Sequence, residues 1–594
     1  MAESKALSTG AEQLITEHLD IWTTAIEQKS SSGRGSSKKL SLYGIKKLRE
    51  LILELAVRGK LVPQDPNDEP ASVLLERIAA EKAQLIKDKK IKKPKALPEI
   101  SDEEKSFDIP SGWERERIGT FGIVGTGSTP SRSNPAYWEP AEINWVSSGE
   151  TSGFFVGSTK EKVSQLAIRE TNVSVYPIGT LIVAMYGQGK TRGQITELSE
   201  PAGTNQACAA IRLVDTSPPH KNFIKLFFRK AYLELRKHAA GGAQPNLNVG
   251  KISNTVIPIP PLEEQSRIVV KVDELMGLCD ALEAQTENSI TAHQTLVEVL
   301  LEALLKAPEQ TVTPEQTAEK FQQNWQRLSE HFDTLFTTTA SIDMLKQTIL
   351  QLAVMGKLVP QNPNDEPAAK LLERIAAEKA QLIKDKLYQK SSKLKPKDDS
   401  ITYPKGWVCV QTGEVCPSIV PNRDRPKSFT GNIPWVTLPA FPNMSLYLDC
   451  SKVELNLSES EVKQYSARLI PEGSVLMSCV GRFGLTAINL EAVTSNQQVH
   501  AFIVLKGLLP EYLSLVIKVE SKALESVATS TTIAYLNKTN CESIQFGLPP
   551  SAEQHRIVAK VVELMTLCDQ LKARLTDAQT TKLHLTDAIV EQAL

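Results

Sequence analysis

No run of 18 apolar residues occurs anywhere in the chain, and Met1 to Leu40 has no apolar core of the kind a secretory signal needs. A membrane-spanning helix is therefore excluded and the expected location is the cytoplasm. Cysteine lacks any informative pattern. None of the eight forms a CxxC pair, and none stands beside histidine at the spacing of a zinc ligand set, so spacing offers no metal finger and no dithiol redox motif. Cys279 and Cys568 fall on apolar helical stripes and read as buried, reduced thiols. An excess of one charge is missing too. The 68 Lys and Arg against 69 Asp and Glu leave a net charge of −1, which gives no whole-chain case for a polyanionic partner. Residues 107–260 carry 16 basic and 12 acidic side chains, whereas residues 402–550 carry 12 of each, so only the first stretch is mildly basic. Neither an (N/D)PP(Y/F) amine-methylation motif nor an acidic nuclease cluster is present, which argues against catalysis by this chain alone.

What the chain does have is a copy of itself. LAVRGKLVPQDPNDEPASVLLERIAAEKAQLIKDK (55–89) returns as LAVMGKLVPQNPNDEPAAKLLERIAAEKAQLIKDK (352–386), identical at 31 of 35 positions. IPPLEEQSRIVVKVDELMGLCDALEA (259–284) returns as LPPSAEQHRIVAKVVELMTLCDQLKA (548–573). The offsets are 297 and 289 residues, so one unit of nearly 300 residues is written twice, and the sequence between the copies has diverged far more. A length of 594 residues corresponds to roughly three to six domains.

Met1 to Lys39 reads as an amphipathic arm ending in the flexible linker SSSGRGSSKK. Apolar residues at helical spacing (Leu48, Leu51, Ile52, Leu55) predict a helix from Lys46 to Leu61, stopped by Gly59 and Pro63, and a second helix is predicted over Ala71 to Lys89. KDKKIKKPK and KSSKLKPK then read as basic tethers or solvated hinges. Each insert opens alike, with IPSGW at 109–113 and YPKGW at 403–407, and runs through matched strand-like segments: EINWVS with NIPWVT, YPIGTLIVAMYG with IPEGSVLMSCVG, TNQA with SNQQ. A helical stretch is predicted near Phe223 to His238. The inserts should share one mixed α/β fold. Each closes on a Pro-Pro pair, with Pro261 and Pro550 in the first turn of a long helix and Glu263, Glu264 or Glu553 complementing its dipole. Ile268, Val272, Leu275, Cys279 and Leu282, and likewise Ile557, Val561, Leu564, Cys568, Leu571 and Leu575, alternate spacings of four and three, a coiled-coil seam. The first seam turns polar at Thr286, Ser289 and His293.

The duplicated frame, the GKLVPQ(D/N)PNDEPA elements, the two PGW-like openings and the PPLEEQ-type helix starts together resemble the specificity (S) subunit of type I restriction-modification enzymes, over nearly the whole chain. The extension before the first insert is similar to the subset whose amino-terminal segment carries a copy of the repeat. The resemblance implies an α+β protein. Two globular mixed α/β target recognition domains are separated by long conserved helices forming an antiparallel coiled coil, with a pseudo-twofold internal repeat. The implied boundaries are 1–106 (amino-terminal helical region), 107–260 (first recognition domain), 261–401 (central helical region), 402–549 (second recognition domain) and 550–594 (carboxy-terminal helix). It further implies a noncatalytic subunit that reads a bipartite, non-palindromic site in double-stranded DNA, with half-sites about one helical turn, roughly 34 Å, apart. The expected partners are two modification (methyltransferase) and two restriction (ATP-dependent translocase/endonuclease) subunits. S-adenosylmethionine, ATP and Mg2+ would be used on those subunits and no cofactor in this chain. The most nearly identical repeat lies outside the inserts, which suggests a partner docking twice.

Candidate DNA-reading residues fall in loops. In GTGSTPSRSNPAYW, the hydroxyls of Ser128 and Thr129 suit phosphate and Arg132 suits phosphate or guanine; the same residues also make an ordinary turn. In YGQGKTRGQ, glycines permit close approach while Tyr186, Gln188, Lys190 and Arg192 offer contacts, with Arg482 in the partner loop GRFG. Asn205 and Gln206, with Asn496 and Gln497 opposite, are amide-rich turns that serve either base readout or turn capping. Gln244 and Asn246 sit in a polar loop replaced by Thr531 and its neighbours in the second insert, which also offers Arg423 and Arg425; Asn248 and Asn537 read as caps. Two rival readings remain. AMYGQGKT (184–191) fits a permissive phosphate-loop pattern, which would make an NTPase using Lys190 and Thr191, although RGQITELSEPAG is a poor start for the helix such a loop requires. A coiled-coil scaffold without DNA recognition accounts for the long helices but not for two divergent inserts in matched frames.

Overall fold

The computed structural model describes residues 9–29, 39–186, 191–232, 247–305, 314–420, 425–442, 445–481, 483–520, 523–524 and 535–594. The chain forms two compact units: Met1–Ser289 with Ala578–Leu594, and Ile290–Asp577. Among the described residues no helix is long and apolar enough to cross a membrane.

In the first unit the frame helix is Tyr43–Val57, and its buried face (Ile45, Leu48, Leu51, Ile52, Leu55) follows the helical spacing of the sequence. Gly59, which stops it, holds φ +69° and leaves only 2.4 Å between an added Cβ and Pro110 Cγ. Gly356 does the same beside Pro404 (φ +71°, 2.5 Å), so the turn needs glycine for both conformation and space. The second helix is Ala71–Lys87. The first long helix, Leu262–Leu305, begins in this unit; at 1.5 Å per residue its 44 residues span about 65 Å. Its seam is met by the frame helix. Ile268, Val272, Leu275 and Cys279 join Leu48, Leu51 and Leu55 in one buried cluster. The two run antiparallel, since Arg49 pairs with Asp280 (2.6 Å) and Glu283 (2.5 Å) while Gln64 and Asp68 reach Glu264 and Arg267. The last turns of Ser551–Ala593 close the unit: Tyr43 donates to Asp587 (2.7 Å), and Arg58 and Lys60 donate to the Leu594 carbonyl (3.1 and 2.7 Å).

The second unit repeats this arrangement. Its frame helix Thr339–Val354 pairs with the start of Ser551–Ala593 through Lys346–Asp569 and Asp343–Lys572 (2.6 Å). Lys357, the counterpart of Lys60, donates to the Leu305 carbonyl (3.3 Å). His293, at the polar end of the first seam, meets the Leu335 carbonyl (3.0 Å) within this unit.

The identical stretch of the repeat does much of its work internally. Trp113, from IPSGW, donates its indole N–H to Glu264 (2.9 Å), Gln64 donates to the same carboxylate (3.1 Å), and Asp68 pairs with Arg267 (2.5 Å). The second copy reproduces every member: Trp407 to Glu553 (3.0 Å), Gln361 to Glu553 (3.2 Å), Asp365 with Arg556 (2.6 Å). Three distant motifs thus form one joint, which fixes the insert's opening to the start of the long helix. Pro261 and Pro550 stand one residue before the helices, and their carbonyls accept from Gln265 (2.9 Å) and Gln554 (3.0 Å). Glu264 and Glu553 are buried joint members rather than surface partners of the dipole. Lys82 is buried, and its ammonium donates to the carbonyls of Gly119 (2.7 Å), Thr120 (2.9 Å) and Gly122 (3.0 Å). Its counterpart Lys379 donates to Ser391 (2.9 Å) and Gly413. Such satisfied buried lysines tolerate no apolar replacement without orphaning carbonyls. The exposed face of Ala71–Lys87 and of Ala368–Lys384 carries Glu76, Arg77, Glu81 and Glu373, Arg374, Glu378, of which Arg77 and Arg374 pair with Glu69 (2.8 Å) and Glu366 (2.5 Å) and Glu378 accepts from the Lys506 N–H (3.2 Å).

The tether at 390–398 is not a solvated hinge. Ser392, Lys395 and Asp398 donate backbone N–H groups to Glu542 (2.8 Å), Ser543 (3.0 Å) and Gln545 (2.7 Å), strapping it along the second insert.

Each insert opens and closes on one two-stranded sheet, Glu114–Arg117 with Val256–Ile259 and Val408–Gln411 with Gln545–Leu548. Inside lie two further sheets of matching order. Ala202–Thr204, Ile143–Val146 and Glu161–Val163 correspond to Thr494–Ser495, Ile433–Val436 and Asn456–Leu457. The larger sheet runs Gly122–Thr126, Cys208–Leu213, Leu181–Ala184, Ile195–Leu198 and Phe155–Val156 in the first insert. Its counterpart runs Ser418–Ile419, Val499–Phe502, Val475–Ser478 and Thr486–Ile488, and at the place of the last strand Tyr447 forms an isolated parallel bridge to Ile488. The inserts therefore share one fold despite their divergence. One helix in each, Pro218–Lys230 and Pro510–Val519, packs on the frame helix of its own unit.

Candidate nucleic-acid interface

The candidate loops of each insert converge on one residue at the end of the central strand. In the first insert Met185 donates its N–H to the Ala207 carbonyl (2.7 Å), and its own carbonyl accepts from Leu247 (3.2 Å). The strand leading to YGQGKTRGQ, the TNQA turn and the segment after the polar loop are thereby tied together. In the second insert Cys479 does the same, donating to the Gln498 carbonyl (2.8 Å) and accepting from Leu536 (2.9 Å). The loop of Ser128 and Thr129 joins the first cluster: Ser128 N–H donates to the Thr204 carbonyl (3.0 Å), and Thr129 donates its hydroxyl to Gln206. Gly127 makes this approach possible, because an added Cβ would lie 1.7 Å from the Thr204 oxygen.

Asn205 and Asn496 are turn caps. Their side-chain oxygens accept from the backbone of Ala207 (3.0 Å) and Gln498 (3.1 Å). The neighbouring Gln206 and Gln497 are exposed, and the Gln206 side-chain oxygen accepts from Thr129. Tyr186 packs its ring partly against the core, and Arg192 is half-buried. Asn248 and Asn537 cap short helices by accepting from Lys251 and Asn540 (2.8 Å each). Gln188, Lys190, Gln244, Asn246, Arg423, Arg482 and Thr531 lie outside the described residues.

Arg132 is held by residues that the sequence reading did not single out. Its guanidinium stacks over Trp138 (3.9 Å to the ring centroid) and bonds Glu161 through both terminal nitrogens (2.5 and 2.8 Å). Trp138 meets Trp145 edge to face at 5.3 Å. The Glu161 carboxylate raises the arginine's pKa, and the arginine lowers that of Glu161, so each holds the other charged. The second insert has the same arginine-aromatic arrangement, with Arg425 5.8 Å from the Phe429 centroid and 5.6 Å from that of Trp435. No ion pair holds Arg425 among the described residues. Trp145 is cross-strand from Glu161, whereas Trp435 donates its backbone N–H to the carbonyl of Leu455 (2.8 Å), whose side chain carries no charge. The signal for it in the sequence is the pairing of NPAYW with the INWV strand, which brings Trp138 against Trp145. Chemically, the first insert offers an arginine stacked on an aromatic face near an exposed amide and a close-approach glycine turn, and the second an arginine beside two aromatic rings, groups suited to phosphate oxygens and base edges.

The phosphate-loop reading fails on backbone grounds. Thr191 leads into a turn and then into strand Ile195–Leu198, all four residues of which are buried, so the helix that a phosphate loop requires does not follow Thr191.

Comparison with known proteins shows the family. A family model described as the type I restriction modification DNA specificity domain matches residues 110–292 and 404–578. The specificity subunits of the type I restriction enzymes EcoAI and EcoEI of Escherichia coli are each 37% identical to this chain; each match covers 98% of this chain and 99% of the relative. The solved HsdS subunit from Thermoanaerobacter tengcongensis is 18% identical with a TM-score of 0.40, over 82% of this chain and 98% of that one.

Proposed function

Because the chain belongs to the family of type I restriction-modification specificity subunits, we propose that each of its inserts reads one half of a bipartite, non-palindromic site in double-stranded DNA. The observation that carries this reading is the convergence of several candidate loops at Met185 and again at Cys479, on one fold with different side chains. The frames dock two modification and two restriction subunits, and S-adenosylmethionine, ATP and Mg2+ serve those partners rather than this chain. The adenines methylated in cells carrying this chain with its modification partner test the idea. One bipartite motif should appear, and exchanging residues 107–260 for another insert should change one half of it. No motif, or a change in both halves, would sink the reading.

Arg132 gives a residue-level expectation. Glu161→Gln should free the guanidinium, tighten binding to nonspecific duplex DNA and steepen the dependence of log affinity on log salt by about one unit, whereas Arg132→Ala should weaken binding. Fluorescence anisotropy across a potassium chloride series measures both; an unchanged slope in Glu161→Gln would remove Arg132 from the DNA contact.

A further inference from the structure

Cys479, His500 and Cys541 are far apart in sequence and meet inside the second insert. Their ligating atoms all lie within 4.8 Å of one another, and the two sulfurs are 3.6 Å apart. The three residues are 3%, 2% and 0% exposed. His500 Nε2 is buried without a hydrogen-bond partner among the described residues, an uncompensated polar atom that a folded core rarely keeps without a reason.

The first insert shows that this fold does not need such a cluster. Met185 makes the same backbone bonds as Cys479, Ala209 pairs with Val183 as His500 pairs with Met477, and Ile252 occupies the Asn-capped helix that corresponds to that of Cys541. Met185, Ala209 and Ile252 are all buried, so the first insert fills the place with apolar side chains alone. The second insert has exchanged all three for soft or borderline metal ligands, a set that prefers d10 cations.

We propose that Cys479, His500 and Cys541 form a binding site for one Zn2+ ion. Each thiol gives its proton to solvent and binds through sulfur, the imidazole binds through a ring-nitrogen lone pair, and two protons leave for each cation taken up. Two thiolates and a divalent cation leave no net charge in the core, which avoids the cost of an unpaired buried ion. Three protein ligands leave a tetrahedral cation one further position. Because the Cys479 backbone is bonded to both Gln498 and Leu536, the ion sits beneath the turn of Asn496 and Gln497 and the segment at 536, and it stiffens the second reading surface. That positioning role rests on the DNA-specificity reading; the binding does not.

The test uses the reduced, chelator-treated full chain, titrated with Zn2+ against a chromophoric competitor and with Co2+ by absorption. One cation per chain, a sulfur-to-cobalt charge-transfer band in the near ultraviolet and two released protons are expected. Cys479→Met with His500→Ala and Cys541→Ile installs the apolar set of the first insert, and should stay folded and bind none. Cys541→Ser alone removes one sulfur and should about halve the charge-transfer intensity, which keeps the test informative if the triple variant unfolds. Cys409→Ser with Cys450→Ser, both at half-buried positions, should retain the site. No stoichiometric binding at micromolar Zn2+, full binding by the folded triple variant, an unchanged cobalt spectrum in Cys541→Ser, or a Cys479–Cys541 disulfide in place of two thiols overturns the proposal. These measurements contain no DNA, so their failure is distinct from failure to find a methylation motif.

Discussion

Arg117→Ala is expected to lower stability by about 3 to 5 kcal/mol, read as the loss in unfolding free energy in urea. Arg117 is 3% exposed and uses its whole guanidinium. Nε donates to the Pro98 carbonyl (2.8 Å), Nη1 to Asn254 (2.5 Å) and Glu104 (2.9 Å), and Nη2 to Glu99 (2.9 Å) and Glu104 (2.8 Å). Alanine strips partners from three backbone carbonyls and a carboxylate and releases the segment before the insert. Glu104 is partly exposed, so water compensates its share and the lower end of the range is the better guide. Arg117→Gln should cost less, because glutamine is what the second insert uses at the matching position, where Gln411 reaches the Lys395 carbonyl (3.0 Å). The pair also sets a pH dependence. The Arg117 guanidinium, helped by the Ser101 backbone, holds the Glu104 carboxyl down to about 2. Its contribution is therefore present above the ordinary carboxylate range and is lost as pH falls toward 2, and Arg117→Ala should flatten that part of the stability profile. An unchanged urea midpoint in Arg117→Ala would show that these guanidinium contacts contribute nothing.

Glu264→Ala and Glu553→Ala should each cost about 2 to 4 kcal/mol, since each leaves a buried indole N–H without its acceptor and takes one of the bonds of a glutamine amide that still donates to the Gly59 or Gly356 carbonyl. The two sites lie in separate units, so the double variant should lose the sum to within about 0.5 kcal/mol; strong non-additivity would refute two independent joints. Their pH dependence has the opposite sign to that of Glu104. Desolvation pushes both carboxyls up despite the Gln, Trp and Arg partners. A carboxyl with a raised folded pKa adds stability below its unfolded value that is lost as pH rises through the folded one. Glu264→Gln and Glu553→Gln should remove that decline while keeping part of the joint. Urea midpoints between pH 4 and 7 separate the two behaviours.

The joint also clarifies what the repeat holds constant. The near identity of residues 55–89 and 352–386 suggested a partner surface, yet Gln64, Asp68, Gly59 and Lys82, with their copies, serve the interior. The outward face of the second repeat helix takes no part in the joint.

The sequence by itself determined the duplication, the frame helices, the seams and the sharing of one fold by both inserts, because these depend on local periodicity, glycine and proline stops, and comparison of the chain with itself. It determined the Asn248 and Asn537 caps for the same reason, a cap being a bond to a residue three positions on. Whatever depends on residues meeting across the fold was decided only by tertiary structure. Trp113 finds Glu264 across 151 positions, and Arg132 finds Glu161 across 29. Cysteines without any metal-ligand spacing in sequence lie sulfur to sulfur beside His500, because two adjacent strands and a capped helix end at the same depth. Spacing along a chain encodes contacts within one element, whereas contacts between elements are set by how their buried faces pack, which no local pattern records.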